Sequence, residues 1–191
     1  MPNWCENKLD IRGSEEALRN FLEKHIKRYT LSDGSQGDPE LDFDTIVVSP
    51  KFKLDCPEEY LNDGNQHISS DDDRPWFNWY KWQCDRWGTK WNASNTYVGD
   101  SNIDNGEVNL YFDTAWGPSI PVIQELTEMY PNLRFRYAYF EGGCWFGGTI
   151  EYDEACGSYI ETDIDNDDLK QFSIDECFVD ECYYDEMEEE A

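Results

Sequence analysis

A tryptophan-rich stretch between Arg74 and Ser94 constrains the fold of this chain more than any other segment. It reads RPWFNWYKWQCDRWGTKWNAS and holds five of the eight tryptophans, which are Trp76, Trp79, Trp82, Trp87 and Trp91. A buried aromatic side chain covers about 150–250 Å², so five rings can hold the middle of a small domain together. We favour this core role over a stacking platform for bases or sugars, because the chain is strongly acidic.

The same stretch predicts a helix over Trp76–Trp87. Trp79 and Tyr80 lie three and four residues after the first tryptophan, which is the spacing of one helix face. Pro75 suits the first turn of a helix, where its missing N–H would have no partner. Gly88 can then end the helix in the left-handed conformation.

The net charge of −27, from 42 acidic and 15 basic residues, is the outlying feature of the composition. A net cationic face is what draws a protein to DNA, RNA or an anionic membrane, so the charge excludes those partners as a class and favours basic proteins. The sequence has no apolar run long enough to span a bilayer and no leader pattern at its start. We therefore expect a cytoplasmic protein in which the seven cysteines are reduced.

Alternating and helical apolar patterns predict most of the remaining elements. The alternation in Trp4–Arg12 predicts a half-buried strand, and Ser14 caps a helix with an apolar stripe that continues to Ile26, with Lys27 and Arg28 near its end. Further predicted strands are Phe43–Val48, Asn95–Val98, Glu107–Asp113, Leu133–Tyr139 and Thr149–Asp153, with a second helix at Ile120–Tyr130 and a loop at Thr30–Asp42. This order predicts an α+β fold, a ferredoxin-like antiparallel sheet with helices on one face and an aromatic-rich insertion.

Four segments together resemble a known family. They are MPNWCENKLDIRG (Met1–Gly13), WGTKWNAS (Trp87–Ser94), FDTAWGPSIPVIQELTEMYP (Phe112–Pro131) and GGTIEY (Gly147–Tyr152). In this order they resemble the YubB-type ferredoxin-like family of small phage and plasmid proteins, over residues 1–152. The resemblance implies a ferredoxin-like sheet and a mobile-element origin, but no activity and no catalytic residues. A polar insertion at Ser32–Asp42 and the acidic tail after Ile160 depart from the family pattern.

The composition changes after residue 160. We divide the chain into a ferredoxin-like α+β domain, residues 1–160, and an acidic C-terminal extension, residues 161–191, which holds 14 acidic residues and one lysine. The extension also contains spaced apolar residues, which separate it from a purely solvated tail. Leu169–Phe178 either docks on the domain itself or folds on a basic, partly apolar partner, and the sequence leaves both open.

The sequence lacks the complete motif of a calcium, zinc or phosphate-binding site. Asp163, Asp165 and Asp167 begin like a calcium loop, but Asp168 replaces its glycine and Ile174 its glutamate. No C-x-x-C pair favours zinc, and no phosphate-binding loop occurs. We therefore expect no metal, no cofactor and no catalytic residue, and predict that the protein is not an enzyme.

Our leading hypothesis is an acidic phage or plasmid protein that mimics nucleic acid. Its carboxylates would block a basic nucleic-acid-binding surface of a host protein, such as a nuclease, a CRISPR or other defence complex, or a DNA-binding regulator, without binding nucleic acid or membrane. The predicted partner-binding residues are Asp71, Asp72, Asp73, Asp163, Asp165, Asp167, Asp168, Asp175, Glu176, Asp180, Glu181, Asp185 and Glu186.

An alternative hypothesis is a small enzyme or ligand-binding domain. Its pocket would lie between the tryptophan-rich helix and the sheet, near Trp91, Asp113 and Trp116. Dense aromatic residues beside the polar FDTAW turn motivate it.

Overall fold

The computed structural model describes residues 3–30, 34–62, 74–99, 102–180 and 183. In chain order the elements are β1 (Trp4–Arg12), α1 (Glu15–His25), β2 (Ile26–Thr30), β3 (Gln36–Leu41), α2 (Trp79–Trp87), β4 (Ser94–Val98), β5 (Glu107–Ala115), α3 (Ile120–Met129), β6 (Arg134–Glu141), β7 (Phe146–Asp153), β8 (Ser158–Asp163) and α4 (Leu169–Asp175). None of these helices is both long and apolar enough to cross a bilayer.

Six strands form one antiparallel sheet in the order β4-β5-β1-β6-β7-β8. Helix α1 lies in the connection from β1 to β4, and α3 connects β5 to β6, so the first four strands of this order make two interleaved strand–helix–strand units. This is the ferredoxin-like βαββαβ arrangement, which confirms the predicted α+β class. Strands β7 and β8 extend the sheet at one side, and β2 pairs with β3 in a separate hairpin.

The alternation of β1 gives the sheet two different faces. Its buried residues Cys5, Asn7, Leu9 and Ile11 belong to the core, which also takes in the apolar residues of α1 and α3. Burying an aliphatic or aromatic side chain of this size stabilises a fold by about 1.5–3 kcal/mol. The alternate residues, such as Glu6, point to the opposite side, which we call the outer face.

Helix α1 begins as predicted and ends earlier. The Ser14 hydroxyl accepts a hydrogen bond from the Ala17 N–H at 3.3 Å, which caps the first turn. The helix ends at His25, and the chain turns directly into β2. Lys27 and Arg28, which we expected in the last helical turn, therefore lie in a strand, because pairing with β3 outweighs their helical preference.

Helix α2 begins three residues later than predicted. The Asn78 side chain accepts from the Lys81 N–H at 3.1 Å and so caps a helix that starts at Trp79. Trp76 lies in the turn before it. Gly88 ends the helix with a φ of 78°, as expected.

The aromatic block forms part of the core. Trp82 and Trp87 are each 4% exposed, and the Trp87 indole N–H donates to the Val47 carbonyl oxygen at 3.0 Å. Phe43 packs edge-on against Trp87, with ring centroids 5.8 Å apart. Trp91 differs, because it is 37% exposed and lies outside this cluster.

Two predictions for the region before the aromatic block are wrong. The segment Thr30–Asp42 is not a loop throughout, because β3 pairs with β2 and Leu41 at its end is fully buried. Phe43–Val48 is not a strand, because the Asp42 side chain caps a short 3₁₀ helix at Phe43–Thr45.

Residues 158–180 continue the domain. The boundary that we drew at residue 160 falls inside β8, which pairs with β7 along its whole length. Within the described residues β8 pairs on this one side only and forms an edge of the sheet. Helix α4 then returns to the sheet, where Leu169 is fully buried. Of the two alternatives for this segment, the structure shows docking on the domain.

Candidate functional site

Most of the described carboxylates that we predicted to bind a partner are exposed. They are Asp163, Asp165, Asp167, Asp168, Asp175 and Asp180, which we call the acidic run. Between residues 153 and 180 the sequence has ten acidic residues and one basic residue, Lys170. Helix α4 advances about 1.5 Å per residue, so the carboxylates at its two ends are about 10 Å apart on a fixed element.

The prediction that Glu176 binds a partner is wrong, because this residue is 8% exposed and its carboxylate is ion-paired within the chain. Its carboxylate accepts hydrogen bonds from Lys8 Nζ at 3.1 Å and from Arg136 Nη1 at 2.9 Å, with a further contact to Arg136 Nη2. Burial alone would raise the pKa of Glu176, but these two cations lower it below its usual value. Glu176 therefore anchors α4 to the outer face and is not free to bind a partner.

Apolar contacts hold the same helix in place. A Cβ at Gly147 would lie 3.0 Å from Leu169 Cδ2, so the glycine allows α4 to approach β7 closely. Phe178, just after the helix, stacks on Phe140 with ring centroids 6.3 Å apart. The acidic run is thus carried by a segment that is packed and ion-paired on the sheet.

The other predicted partner-binding residues lie outside the described residues. They are Asp71, Asp72, Asp73, Glu181, Asp185 and Glu186.

A second group of carboxylates lies on the outer face, where β1 pairs with β5. Glu6 of β1 and Asp113 of β5 are directly opposite in the strand register. The Asn95 side-chain amide donates to Asp113 Oδ2 at 2.7 Å. Burial, followed by repulsion from Asp113, raises the pKa of Glu6 to about 7. The two side chains form a like-charged pair when both are ionised.

Exposed tryptophans lie close to this carboxylate pair along the chain or pack on one that does. Trp4, two residues before Glu6 on the same face, packs against Trp91 with ring centroids 6.1 Å apart. Trp116 follows β5 and is 56% exposed. We call Glu6, Asp113, Trp4, Trp91 and Trp116 the carboxylate–tryptophan patch.

Two residues near Asp113 have an unusual backbone conformation, Asn95 on the neighbouring strand and Trp116 three residues further along the chain. The pairing of β4 with β5 shifts register between Ser94 and Tyr97, and Asn95 in this bulge has a φ of 50°. Trp116 has a φ of 75°, which is rare for a bulky residue. Its N–H donates to the Asn3 carbonyl oxygen at 3.0 Å, which holds the strained residue in place.

The pocket that we expected between the tryptophan-rich helix and the sheet is filled by side chains. Phe43 contacts Trp87 on α2 and also Phe112 on β5, with the latter ring centroids 6.0 Å apart. Of the residues that we named for that pocket, Asp113 lies on the outer face, since it alternates with the buried Phe112 along β5, and Trp91 packs against Trp4. Any ligand there would bind on a surface and not inside the core.

Sequence reasoning found Trp91, Asp113 and Trp116 but missed Trp4 and Glu6. The signal was present in the alternation of β1, which places those two residues on one face. The register of β1 with β5 places them beside Asp113, and the sequence alone does not determine that register.

The buried histidine has a structural role. His25 Nδ1 lies 2.6 Å from the Thr45 hydroxyl, and Nε2 lies 2.7 Å from the Tyr130 hydroxyl. Burial, followed by repulsion from Lys24 and Lys27, lowers its pKa to about 4. The described residues contain no group of three metal-binding side chains placed to hold an ion.

Comparisons with known proteins place the chain in a family. The family model described as "Ferredoxin-like domain in Api92-like protein" matches residues 86–190, which is 105 of 191 residues. A crystal structure of the protein api92 from Yersinia pseudotuberculosis is similar with a TM-score of 0.45 and 14% identity, covering 86% of this chain and 99% of that chain. A search of curated proteins gave no match. The matched segment spans more than half of the sequence, and the chain therefore belongs to the family of Api92-like proteins with a ferredoxin-like domain.

Proposed function

We propose that the protein is an acidic binding protein that occupies a basic, nucleic-acid-binding surface of another protein. The acidic run carries this proposal, because its carboxylates are exposed and almost unopposed by bases. Spaced carboxylates can take the place of phosphates and engage arginine and lysine through charge-assisted hydrogen bonds. The net charge of −27 also speeds the encounter with a basic partner.

The anchoring of α4 supports the proposal energetically. Binding a flexible segment costs free energy, because the segment must be ordered. Here the ion pairs of Glu176 with Lys8 and Arg136 order the segment before any partner arrives. Glu176 is thus a positioning residue for the acidic run.

The proposed class of target rests on the mobile-element origin that we expect from the sequence. We propose a bacterial host protein as the target: a nuclease, a CRISPR or other defence complex, or a DNA-binding regulator. The protein would act in the host cytoplasm as an inhibitor by occupancy. No catalytic step is part of this proposal.

Affinity purification from bacterial lysate tests the proposal. The tagged full chain should retain a nucleic-acid-binding protein at low salt, and duplex DNA should release that protein by competition. Retention should fall steeply between about 50 and 200 mM salt, as it does for nucleic acid itself. The proposal fails if no nucleic-acid-binding protein is retained at low salt.

Charge-matched variants locate the contact. The test variant carries Asp165→Asn, Asp167→Asn, Asp168→Asn and Asp180→Asn. The control removes the same four charges at exposed positions elsewhere, with Glu16→Gln, Glu23→Gln, Glu58→Gln and Glu128→Gln. We expect at least a tenfold loss of affinity for the test variant and less than a threefold loss for the control. Equal losses would show that net charge, and not the acidic run, determines binding.

A further inference from the structure

The outer face of the sheet is covered unevenly. Helix α4 packs over β6 and β7, where Leu169 and Phe178 are in contact with the sheet. On the side of β4, β5 and the start of β1, large aromatic side chains are exposed instead: Trp4 at 38%, Trp91 at 37% and Tyr97 at 60%. Exposed tryptophan and tyrosine grouped on one face are typical of a protein-binding surface.

The two carboxylates of the carboxylate–tryptophan patch are not ion-paired. Within the described residues, neither Glu6 nor Asp113 forms an ion pair. Of the nearby lysines, Lys8 binds Glu176 at 3.1 Å, and Lys90 Nζ lies over the Trp91 ring of the patch, 4.5 Å from its centroid. Like charges directly opposite on neighbouring strands destabilise a sheet, so a cation bound from outside would relieve the repulsion.

We propose that the carboxylate–tryptophan patch is a docking surface for an arginine-bearing segment of the basic partner. One guanidinium would lie between Glu6 and Asp113, with the ring of Trp4 beside it. This inference rests on the proposed function, and it names a contact separate from the acidic run.

The chemistry of the patch favours arginine over other occupants. A guanidinium is planar, binds two carboxylate oxygens at once and stacks on an aromatic ring. A lysine ammonium provides a single point charge without the stacking surface. Phosphate groups of a nucleic acid would be repelled by both carboxylates.

A titration with a small probe tests the patch alone. The ¹⁵N-labelled full chain is titrated with Nα-acetyl-arginine amide, and the tryptophan indole N–H signals are followed by NMR. We expect the signals of Trp4 and Trp91 to shift, with a dissociation constant of about 1–10 mM, close to −4 kcal/mol for 1 mM. The lysine analogue should bind at least threefold more weakly, and the uncharged citrulline analogue should produce no shift.

Isosteric variants with matched controls complete the test. Glu6→Gln with Asp113→Asn should weaken the arginine probe at least fivefold, while Glu16→Gln with Glu128→Gln, at exposed positions elsewhere, should change it less than twofold. Trp4→Ala should weaken the probe at least threefold, whereas Phe52→Ala, at a side chain that is 68% exposed, should not. Urea unfolding verifies that each variant is folded.

Several results would overturn the inference. They are shifts confined to signals from the acidic run, equal binding of the arginine and lysine probes, or equal losses in the variants and their controls. The titration needs no partner protein, so its failure is distinct from a failure to retain a nucleic-acid-binding protein from lysate. If the acidic-run variant loses the partner but still binds the arginine probe normally, the result supports both the acidic run and the patch as separate contacts.

Discussion

At the scale of single residues, burial shifts two titratable side chains in opposite directions. It raises the pKa of Glu6 and lowers that of His25, because in both cases the neutral form is favoured away from water. His25 has two hydroxyl partners that stabilise its neutral ring. Glu6 has a like-charged neighbour, so its ionised form is destabilised at neutral pH.

Replacing Glu6 should stabilise the protein at alkaline pH. The pKa of Glu6 is about 7 in the fold, against an ordinary value of 4.5, so the folded state binds more protons between these pH values. The free energy of unfolding therefore falls as pH rises through this window and stays low above it. We expect Glu6→Gln to match the wild type near pH 4.5 and to exceed it by about 1 kcal/mol at pH 8, since solvent reaches part of the carboxylate.

Urea unfolding at the two pH values measures this difference. Glu16→Gln serves as the control, because Glu16 is exposed on α1, and its effect should be the same at both values. A Glu6 variant that gains nothing on going to pH 8 would contradict the raised pKa of Glu6, which burial and then repulsion from Asp113 cause.

At the scale of elements, the predictability of a segment depends on where its stabilising contacts lie. Strands β1 and β5 and helices α1 and α3 carry their own apolar periodicity, and the sequence predicted all four. Strand β3 reads QGDPEL and has one buried apolar residue, Leu41, so its partner β2 determines its structure. The carboxylate–tryptophan patch was found only in part for the same reason, because it forms across two strands.

Helix α4 depends on the buried ion pairs of Glu176. Glu176→Gln would remove the carboxylate that Lys8 and Arg136 share, while Glu151 Oε1 stays 2.6 Å from Arg136 Nε. Because one partner of Arg136 remains, we expect a loss of about 1–3 kcal/mol. We expect amides of α4 to exchange with deuterium at least tenfold faster in this variant. Asp175→Asn changes the exposed neighbouring carboxylate and should leave the exchange rate unchanged. Equal exchange in the two variants would show that apolar contacts alone hold the helix.

The junction of α2 and α3 is restricted by Gly88. A Cβ at this position would lie 2.7 Å from the Pro118 carbonyl oxygen, and its φ of 78° disfavours other residues. Gly34 has a similar φ of 84°, but no described atom lies within 4 Å of such a Cβ. We expect Gly34→Ala to cost about 1 kcal/mol, from the backbone alone, and Gly88→Ala to cost at least about 2 kcal/mol more, because overpacking adds to it. Thermal unfolding compares them, and similar losses would show that the α2–α3 junction relaxes easily.

At the scale of the whole molecule, the net charge of −27 acts on stability as well as on binding. Self-repulsion favours the expanded state, and salt screens it over a Debye length of about 10 Å at 0.1 M. Binding to a basic partner responds in the opposite sense, since salt weakens the attraction. The same ions should therefore stabilise the free protein and dissociate the proposed complex.

Salt should raise the melting temperature of the free protein. Between about 10 and 300 mM sodium chloride we expect a gain of about 1 kcal/mol, which corresponds to about 3 °C for a chain of this size. The variant with Asp165, Asp167, Asp168 and Asp180 changed to Asn should show a smaller rise, because it carries four fewer charges. A melting temperature that falls with salt would indicate that favourable ion pairs outweigh the repulsion.

Strand β8, which pairs on one side only within the described residues, has a consequence for how copies of the protein meet. An unpaired edge strand offers its backbone N–H and C=O groups to any extended chain, including the same strand of another molecule. Two copies approaching through β8 would bring Glu161 and Asp163 of one against those of the other, since both are exposed there. The repulsion between these carboxylates opposes continuation of the sheet from one molecule into the next.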